Sequence, residues 1–198
     1  FFPRKFTFDN YIYMFRQGNL LKGAIISILR VVVGTSTTVF FSGILAYVTT
    51  VRTFSGRRFM RIVFLITMYF GGGIIPTFLV VKGLGMYDSV TSLFIPQAVN
   101  VFNFIVMRTF FREFPQSLEE AAKIDGASDI KVLIKIILPL SLPIIATIGL
   151  FYAVGYWNNY FDALLYIQSP DKFTLQLRLR SLLFANEINT QSSSLEGM

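Results

Sequence analysis

The sequence predicts an all-α membrane protein whose helices cross a bilayer several times, and three observations support this prediction. Of the 198 residues, 54% are hydrophobic, and phenylalanine alone accounts for 22. Charged residues make up 15%, whereas soluble domains usually contain about 25%. Four stretches are apolar enough to form spans, each of which needs about 20 residues. We therefore expect a multi-pass membrane protein, one helix bundle with spans near residues 24–48, 62–81, 90–111 and 140–162.

Charge and composition exclude several other classes of function. The formal net charge is +7, which in an apolar chain indicates positive cytoplasmic loops rather than nucleic-acid binding. The sequence contains no cysteine and no histidine, which excludes disulfides, thiol nucleophiles, histidine-based triads and the usual zinc sites. It also lacks the Gly-x-x-x-x-Gly-Lys-Ser/Thr pattern that cradles nucleotide phosphates. We expect neither a metal nor a cofactor in this chain.

The first predicted span, residues 24–48, has a small and polar face. Such residues let transmembrane helices approach closely, so we expect this face to pack on a neighbouring helix. Its members are Gly34, Thr35, Ser36, Thr37, Thr38, Ser42 and Gly43. Arg30 is a charge near one end of the span. It either extends to the membrane surface, the interpretation that we favour, or lines a substrate path.

A short basic loop and a broken span follow. The loop carries Arg52, Arg57, Arg58 and Arg61, which predicts a cytoplasmic position. The second span, residues 62–81, is interrupted by three glycines at 71–73 and by Pro76. Lipid cannot satisfy the backbone groups that such a break frees. We therefore expect the break inside the bundle, either at a tight helix crossing or beside a water-filled path.

The third predicted span, residues 90–111, carries amides at every third position. Gln97, Asn100 and Asn103 would form a polar stripe on one broad helix face. Amides in a bilayer are costly unless they find partners. The stripe therefore indicates either hydrogen bonds between helices or a substrate path.

An aromatic and amide cluster lies near the outer end of the fourth span, residues 140–162. Its members are Tyr156, Trp157, Asn158, Asn159 and Tyr160. An aromatic belt at the membrane surface is the default explanation, but aromatic faces with amides also suit a sugar. Adjacent helical residues point about 100° apart. We expect Asn158 to face a cavity walled by Tyr156 and Trp157, and Asn159 to make a packing contact.

The most charged segment, residues 113–139, connects the third and fourth spans. Ser117 and Glu120 have the spacing of a capping box at the start of a short helix. Gly126 permits a left-handed turn that ends this helix. Ser128 or Asp129 would cap a second helix that Pro139 perturbs. The segment thus predicts a helix, a turn and another helix.

This segment resembles the EAA loop of ABC importer permeases. The matching positions are Glu120, Ala121, Ala122, Gly126, Ile136, Leu138 and Pro139. The Asp-Gly-Ala form at Asp125, Gly126 and Ala127 is similar to that of the carbohydrate-uptake branch, which includes the maltose, complex-carbohydrate and alginate permeases. In that family the loop is the coupling helix, which docks on a cytoplasmic ATPase. The alternative role of Glu120 is that of the cap alone.

The resemblance implies a function and a set of partners. It implies a type I transmembrane domain that imports a sugar or oligosaccharide, acidic if Arg30 lies at the outer mouth. The implied partners are a second homologous permease subunit, two ATP-binding subunits that hold ATP and magnesium, an extracytoplasmic solute-binding protein and the lipid bilayer. Closure of the ATPases would move the loop as a lever and switch the access of the spans.

The same resemblance indicates a segment of a longer permease that lacks the first and last spans. Phe6, Thr7, Asn10 and Tyr11 resemble the lead-in that follows the first span of sugar permeases. Near the other end, Leu175, Leu177 and Leu179 alternate with polar residues, a pattern typical of a short strand.

Other functions remain as alternatives. They are import of an amino acid, a peptide or an anion, a structural scaffold, and a membrane enzyme. Catalysis is the least favoured, because the spans show no central aspartate or glutamate.

Overall fold

The regular structure that the computed structural model describes, over residues 20–51 and 54–184, is helical throughout, as predicted. The helices are α1 Leu20–Val48, α2 Arg57–Tyr69, α3 Ile74–Gly83, α4 Val101–Glu113, α5 Gln116–Ile124, α6 Asp129–Leu140, α7 Leu142–Asn158, α8 Phe161–Tyr166 and α9, residues 175–184. The predicted lead-in at Phe6, Thr7, Asn10 and Tyr11 lies outside the described residues, as does Arg52.

Helix α1 is the central element of the bundle. It has 29 residues and is long and apolar enough to cross a membrane alone. It packs mainly against α7 and α4. Gly34, Thr38, Ser42 and Gly43 are buried in these contacts, which confirms the predicted packing face. Ser36 is exposed because the helical period turns it away from that face.

The glycine break separates α2 from α3, but it does not lie inside the bundle of this chain. Helix α2 contacts α4 through Phe64, whose ring centroid lies 4.6 Å from that of Phe104. Beyond that contact, residues 65–77 are all exposed. A Cβ atom added to Gly71 or Gly73 would meet nothing within 4 Å. The expected burial is therefore wrong for the part of the chain that the structure describes, which supplies no surface to cover the break.

The third predicted span is not one helix. Two short 3-10 turns, Val90–Leu93 and Ile95–Gln97, precede α4, and this segment and α4 meet at an angle of 51°. Asn100 is the N-cap of α4 and accepts a hydrogen bond from the amide of Asn103 at 3.1 Å. The predicted stripe of amides is therefore divided, because Gln97 precedes the break whereas Asn103 follows it.

The fourth predicted span is also bent and ends earlier than expected. Helix α6 contains a π-helical turn, Leu133–Ile137, and meets α7 at 79° beside Ser141. Helix α7 ends at Asn158 because Asn159 turns out of the helix, and its side chain accepts a hydrogen bond from the amide of Asp162. Among the described residues, one helix is long and apolar enough to cross a membrane, and up to three spans result if each bent pair counts as one.

Two connections are tied together at the end of the bundle that carries α8, which we call the α8 end. Asp88, with a positive φ of 54°, accepts hydrogen bonds from the amides of Gln168 and Ser169 at 3.0 and 2.9 Å. Its carboxylate also accepts from the Ser169 hydroxyl at 2.5 Å and from Lys172 at 3.1 Å. The hydrogen bonds from Ser169, followed by those from Gln168 and Lys172, hold the pKa of Asp88 well below its usual value.

The predicted strand near Leu175 is wrong, because these residues form α9. Thr174, Leu177 and Arg178 are buried, a spacing of three and one that fits a helix. The Thr174 hydroxyl accepts a hydrogen bond from the amide of Leu177 at 3.4 Å and so caps the helix start.

We expect Asp88→Asn to lower the melting temperature of the purified protein at neutral pH. Asparagine keeps an oxygen for the two amides but loses the charge that Lys172 contacts. Because the folded-state pKa is depressed, this stabilisation is complete above the ordinary pKa of 3.8 and is lost as the pH falls further. The difference between the two proteins should shrink below that pH. A difference that stays constant into acid would contradict the role of the charge.

Candidate functional site

The loop between α4 and α7 forms the predicted helix, turn and helix. Helix α5 begins after Pro115, whose φ of −58° suits the start of a helix. The predicted capping box is absent, because Pro115 is the N-cap and no side chain caps the helix. Ser117 therefore lies inside the first turn. Glu120 is exposed and is free of the capping role assigned to it from the sequence.

Gly126 ends α5 as predicted. Its φ is +78°, a value that favours glycine, and its amide donates to the carbonyl of Lys123 at 3.0 Å. The amide of Ala127 donates to the carbonyl of Ala122 at 2.9 Å, and both alanines pack against the main apolar core. Ser128 then caps α6 by accepting a hydrogen bond from the amide of Lys131. The alanine and glycine positions thus fix the angle between the two helices.

The outer surface of this loop is apolar and uncovered. Ile124 is 87% exposed, and Ile130 is 70% exposed. Asp125 and Pro139 are also exposed. The inner side is fixed, since the Tyr47 hydroxyl donates to the carbonyl of Asp129 at 3.1 Å and Asp129 pairs with Lys123 at 2.9 Å. This ion pair raises the pKa of Lys123. The loop is held by the bundle and presents an exposed apolar face.

A polar cavity of about 350 Å³ lies between α4 and α7. Four of the residues predicted for a substrate path line it, namely Gln97, Asn100, Asn103 and Tyr156. Tyr152, which was not among the residues predicted from the sequence, also lines it. Its hydroxyl accepts a hydrogen bond from the amide of Asn100 at 3.2 Å.

Trp157 and Asn158 do not line this cavity. Trp157 is 40% exposed, and the Asn158 side chain donates to the carbonyl of Val154 one turn earlier on its own helix. The expectation that Asn158 faces the cavity is not met, because Tyr152 and Tyr156, one turn apart, occupy the inward face of α7. Asn159 forms hydrogen bonds with Arg30 and Asp162.

Arg30 lies in a buried ion pair and does not extend to the membrane surface. The residue is 1% exposed and donates to the carbonyl of Leu93 at 3.0 Å, to that of Asn159 at 2.5 Å and to Asp162 at 2.7 Å. The same Asp162 oxygen accepts from Gln97 at 2.6 Å and from Asn159 at 2.8 Å. Both expectations for Arg30 are therefore wrong.

Asp162 was not predicted as a site residue. It falls within the stretch predicted as the fourth span, where a carboxylate needs a cationic partner. Arg30 lies near the start of the first predicted span, and Asp162 lies at the end of the fourth. The predicted topology places both on the same side of the membrane, and this was a signal for the pair. The network joins α1, the 3-10 turns before α4, and α8.

Comparisons with known proteins give one consistent family. A family model described as "binding-protein-dependent transport system inner membrane component" matches residues 38–195. The polygalacturonan/rhamnogalacturonan transport system permease protein YtcP of Bacillus subtilis (strain 168) is 45% identical over 184 residues. Protein LplC of the same organism is 46% identical over 187 residues. The alignments cover 93% and 94% of this chain but only 64% and 63% of those proteins, so the chain spans slightly under two thirds of their length.

A solved structure has the same fold. It is the crystal structure of a bacterial ABC transporter involved in the import of the acidic polysaccharide alginate. The similarity has a TM-score of 0.87 at 33% sequence identity, and it covers 95% of this chain and 70% of that chain.

Proposed function

The chain belongs to the family of binding-protein-dependent transport system inner membrane components, and from this premise we propose that it is a permease subunit of an ATP-driven sugar importer. In this proposal it pairs with a second homologous permease subunit in the plasma membrane. Two ATP-binding subunits bind and hydrolyse ATP, and an extracytoplasmic solute-binding protein delivers the substrate. The chain itself performs no catalysis.

The loop of α5 and α6 is the observation that carries this proposal. Leu118, Ile124, Ile130 and Ile134 of this loop are 41%, 87%, 70% and 57% exposed, and several exposed apolar residues on one segment favour a partner that covers them. The rigid inner contacts of Asp129 with Tyr47 and Lys123 let a push on α5 reach α1. In our proposal the ATP-binding subunit covers this face, with Glu120, Ala121, Ala122, Asp125, Gly126, Ala127 and Pro139 forming the coupling segment.

The substrate class that we propose is an acidic oligosaccharide. The support comes from the relatives, since the names of two of these transporters refer to polygalacturonan with rhamnogalacturonan and to alginate. Arg30 adds no support, because Asp162 already pairs with its charge. Uptake of an amino acid, a peptide or an inorganic anion instead of an oligosaccharide would overturn this proposal.

The cavity between α4 and α7 is the proposed substrate path. Its amides and tyrosines offer hydrogen-bond donors, acceptors and aromatic faces, which is the chemistry that a sugar needs. Tyr156 donates to the carbonyl of Phe94 at 3.3 Å, so its ring is held in place as a wall. Trp157 and Asn158 belong outside this path.

We expect Asn103→Leu to lower transport of an oligogalacturonate by about tenfold, the effect of roughly 1.4 kcal/mol from one lost hydrogen bond to the substrate. Leucine keeps the size of the side chain but removes its amide. Uptake would be measured with the complete complex in proteoliposomes. Asn158→Leu is the matched control, since within the described residues that amide bonds to its own helix and does not line the cavity, and it should transport normally. Equal uptake by both variants would remove Asn103 from the path.

We expect Glu120→Gln to reduce transport and substrate-stimulated ATP hydrolysis while the subunit remains inserted. Glutamine keeps the shape of the side chain and removes only its charge, and the carboxylate forms no cap in this structure. A loss would therefore indicate an ion pair with a cation on the ATP-binding subunit. Assembly and transport at the parent level would contradict this role.

A further inference from the structure

Four arginines from two packed helices converge on a second cavity, which we call the arginine cavity. Arg57 and Arg61 lie one turn apart on α2, and Arg108 and Arg112 lie one turn apart on α4. All four line a space of about 400 Å³ at the end of the bundle that carries α5. Lys123 of α5 lines the same space. None of these residues belongs to the polar cavity between α4 and α7.

No carboxylate in residues 20–51 and 54–184 forms a direct ion pair with these arginines. No carboxylate in those ranges lies within 4.0 Å of any of the four guanidinium groups. Glu119 and Glu120 line the same cavity but do not reach them. Arg61 donates to the carbonyl of Arg57 at 3.2 Å, a bond that leaves the positive charge unpaired.

Arg108 supplies a second and independent observation. In the part of the chain described, its Nε atom is buried and has no hydrogen-bond partner. A buried donor without a partner costs free energy, as do like charges one helical turn apart. An anion inside the cavity would offset the repulsion between the arginines, because a guanidinium binds an anionic oxygen pair with two parallel hydrogen bonds.

We propose that the arginine cavity binds the phosphate group of an anionic membrane lipid. Helix α2 also carries exposed apolar side chains at Phe59, Ile62 and Val63, on the side away from the arginines, which the acyl chains of a bilayer would cover. Basic pockets between membrane helices suit lipid headgroups, and anionic lipids are enriched where positive loops lie. Arginine is the side chain best matched to the geometry of a phosphate.

The bound phosphate would also bridge the spans and α5. Arg61 and Arg112 contribute from α2 and α4, and Lys123 contributes from α5, whereas Glu119 and Glu120 line the cavity with the same charge sign as the phosphate. An anion held there screens the repulsion between the arginines and places α5 against the bundle. This consequence for coupling rests on the proposed function, whereas binding of the lipid does not.

The test is native mass spectrometry of the purified complex after exchange into phosphatidylcholine with or without phosphatidylglycerol. We expect the parent complex to retain phosphatidylglycerol through detergent washing. Arg61→Gln with Arg112→Gln should reduce this retention at least tenfold. Arg58→Gln with Lys135→Gln is the matched control, because it removes two exposed charges that do not line the cavity, and retention should be unchanged. The single variant Arg112→Gln, at an exposed position, covers the case in which the double variant fails to assemble.

Two results would overturn the proposal. One is equal retention of phosphatidylglycerol by the parent, the cavity variants and the control. The other is a rise in melting temperature caused by inorganic phosphate in phosphatidylcholine but not by phosphatidylglycerol, which would make the cavity a site for a soluble ion. Neither readout requires transport, so failure of this proposal and failure of the proposed function are distinguishable.

Discussion

Arg30→Gln lowers the stability of the folded subunit far more than Lys22→Gln does, although both remove one cation that faces an aspartate. Arg30 is 1% exposed and donates three hydrogen bonds, two of them to backbone carbonyls. Removal of one partner from a buried ion pair typically costs about 3–5 kcal/mol, because the other charge is left without compensation. Here Asp162 would keep only the amides of Gln97 and Asn159.

The Lys22 pair sets the scale for a surface interaction. Its ammonium lies 3.6 Å from Asp171, and the two side chains are 60% and 83% exposed. Such pairs contribute about 0–1 kcal/mol. Thermal unfolding of the purified complex would be followed by tryptophan fluorescence, with the amount of inserted subunit as a second readout. Equal shifts for the two variants would mean that the Arg30 network does not hold α1 to α8.

The parts of the fold that local rules specify were predictable from the sequence. The turn at Gly126 and the cap at Ser128 follow from backbone geometry over a few residues, and both were found. The small face of α1 followed from residue size along one helix. The capping box failed for an equally local reason, because Pro115 starts α5 two residues before Ser117.

The breaks in the third and fourth spans were harder to predict, because the apolar stretches continue through them and a hydrophobicity pattern shows no interruption there. Asn100 caps α4 and Asn159 ends α7, and a hydrophobicity average over many residues does not detect either event. The inward face of α7 carries Tyr152 and Tyr156, so Tyr156 lines the cavity as predicted, whereas Trp157 and Asn158 do not. Which face of α7 meets α4 depends on contacts between helices, which the sequence of one helix does not record.

Contacts between distant residues account for the remaining differences. Arg30 and Asp162 are separated by 132 positions, and no local pattern records that they meet. We expected the Arg30 side chain to extend to the membrane surface because the cost of an unpaired charge in lipid was considered without a partner. In the folded chain Arg30 can either face lipid or pair with Asp162, whose carboxylate also accepts hydrogen bonds from Gln97 and Asn159. The ion pair with Asp162 is the favoured arrangement. Burial of the glycine break at 71–73 failed in the opposite sense, since the described residues offer no surface to cover it.

Gly126→Val uncouples transport from ATP hydrolysis while the spans remain inserted. The φ of Gly126 is +78°, and a Cβ atom there would meet nothing within 4 Å, so the penalty comes from the backbone alone. A left-handed conformation costs an ordinary residue about 1–2 kcal/mol, and a β-branched one is more restricted. One to two kcal/mol is a factor of about 5–30 in an equilibrium.

That factor acts on the angle between α5 and α6, the quantity on which coupling depends. When Gly126 is replaced by valine, the chain relieves the strain by turning α5, and the contacts of Ala122 and Ala127 with the core are lost. We expect transport per ATP hydrolysed to fall by the same factor in proteoliposomes, with normal amounts of subunit in the membrane. Gly126→Asn is the control, because asparagine tolerates left-handed backbone and should retain most of the transport. If valine and asparagine behave alike, the backbone angle at Gly126 does not set the coupling.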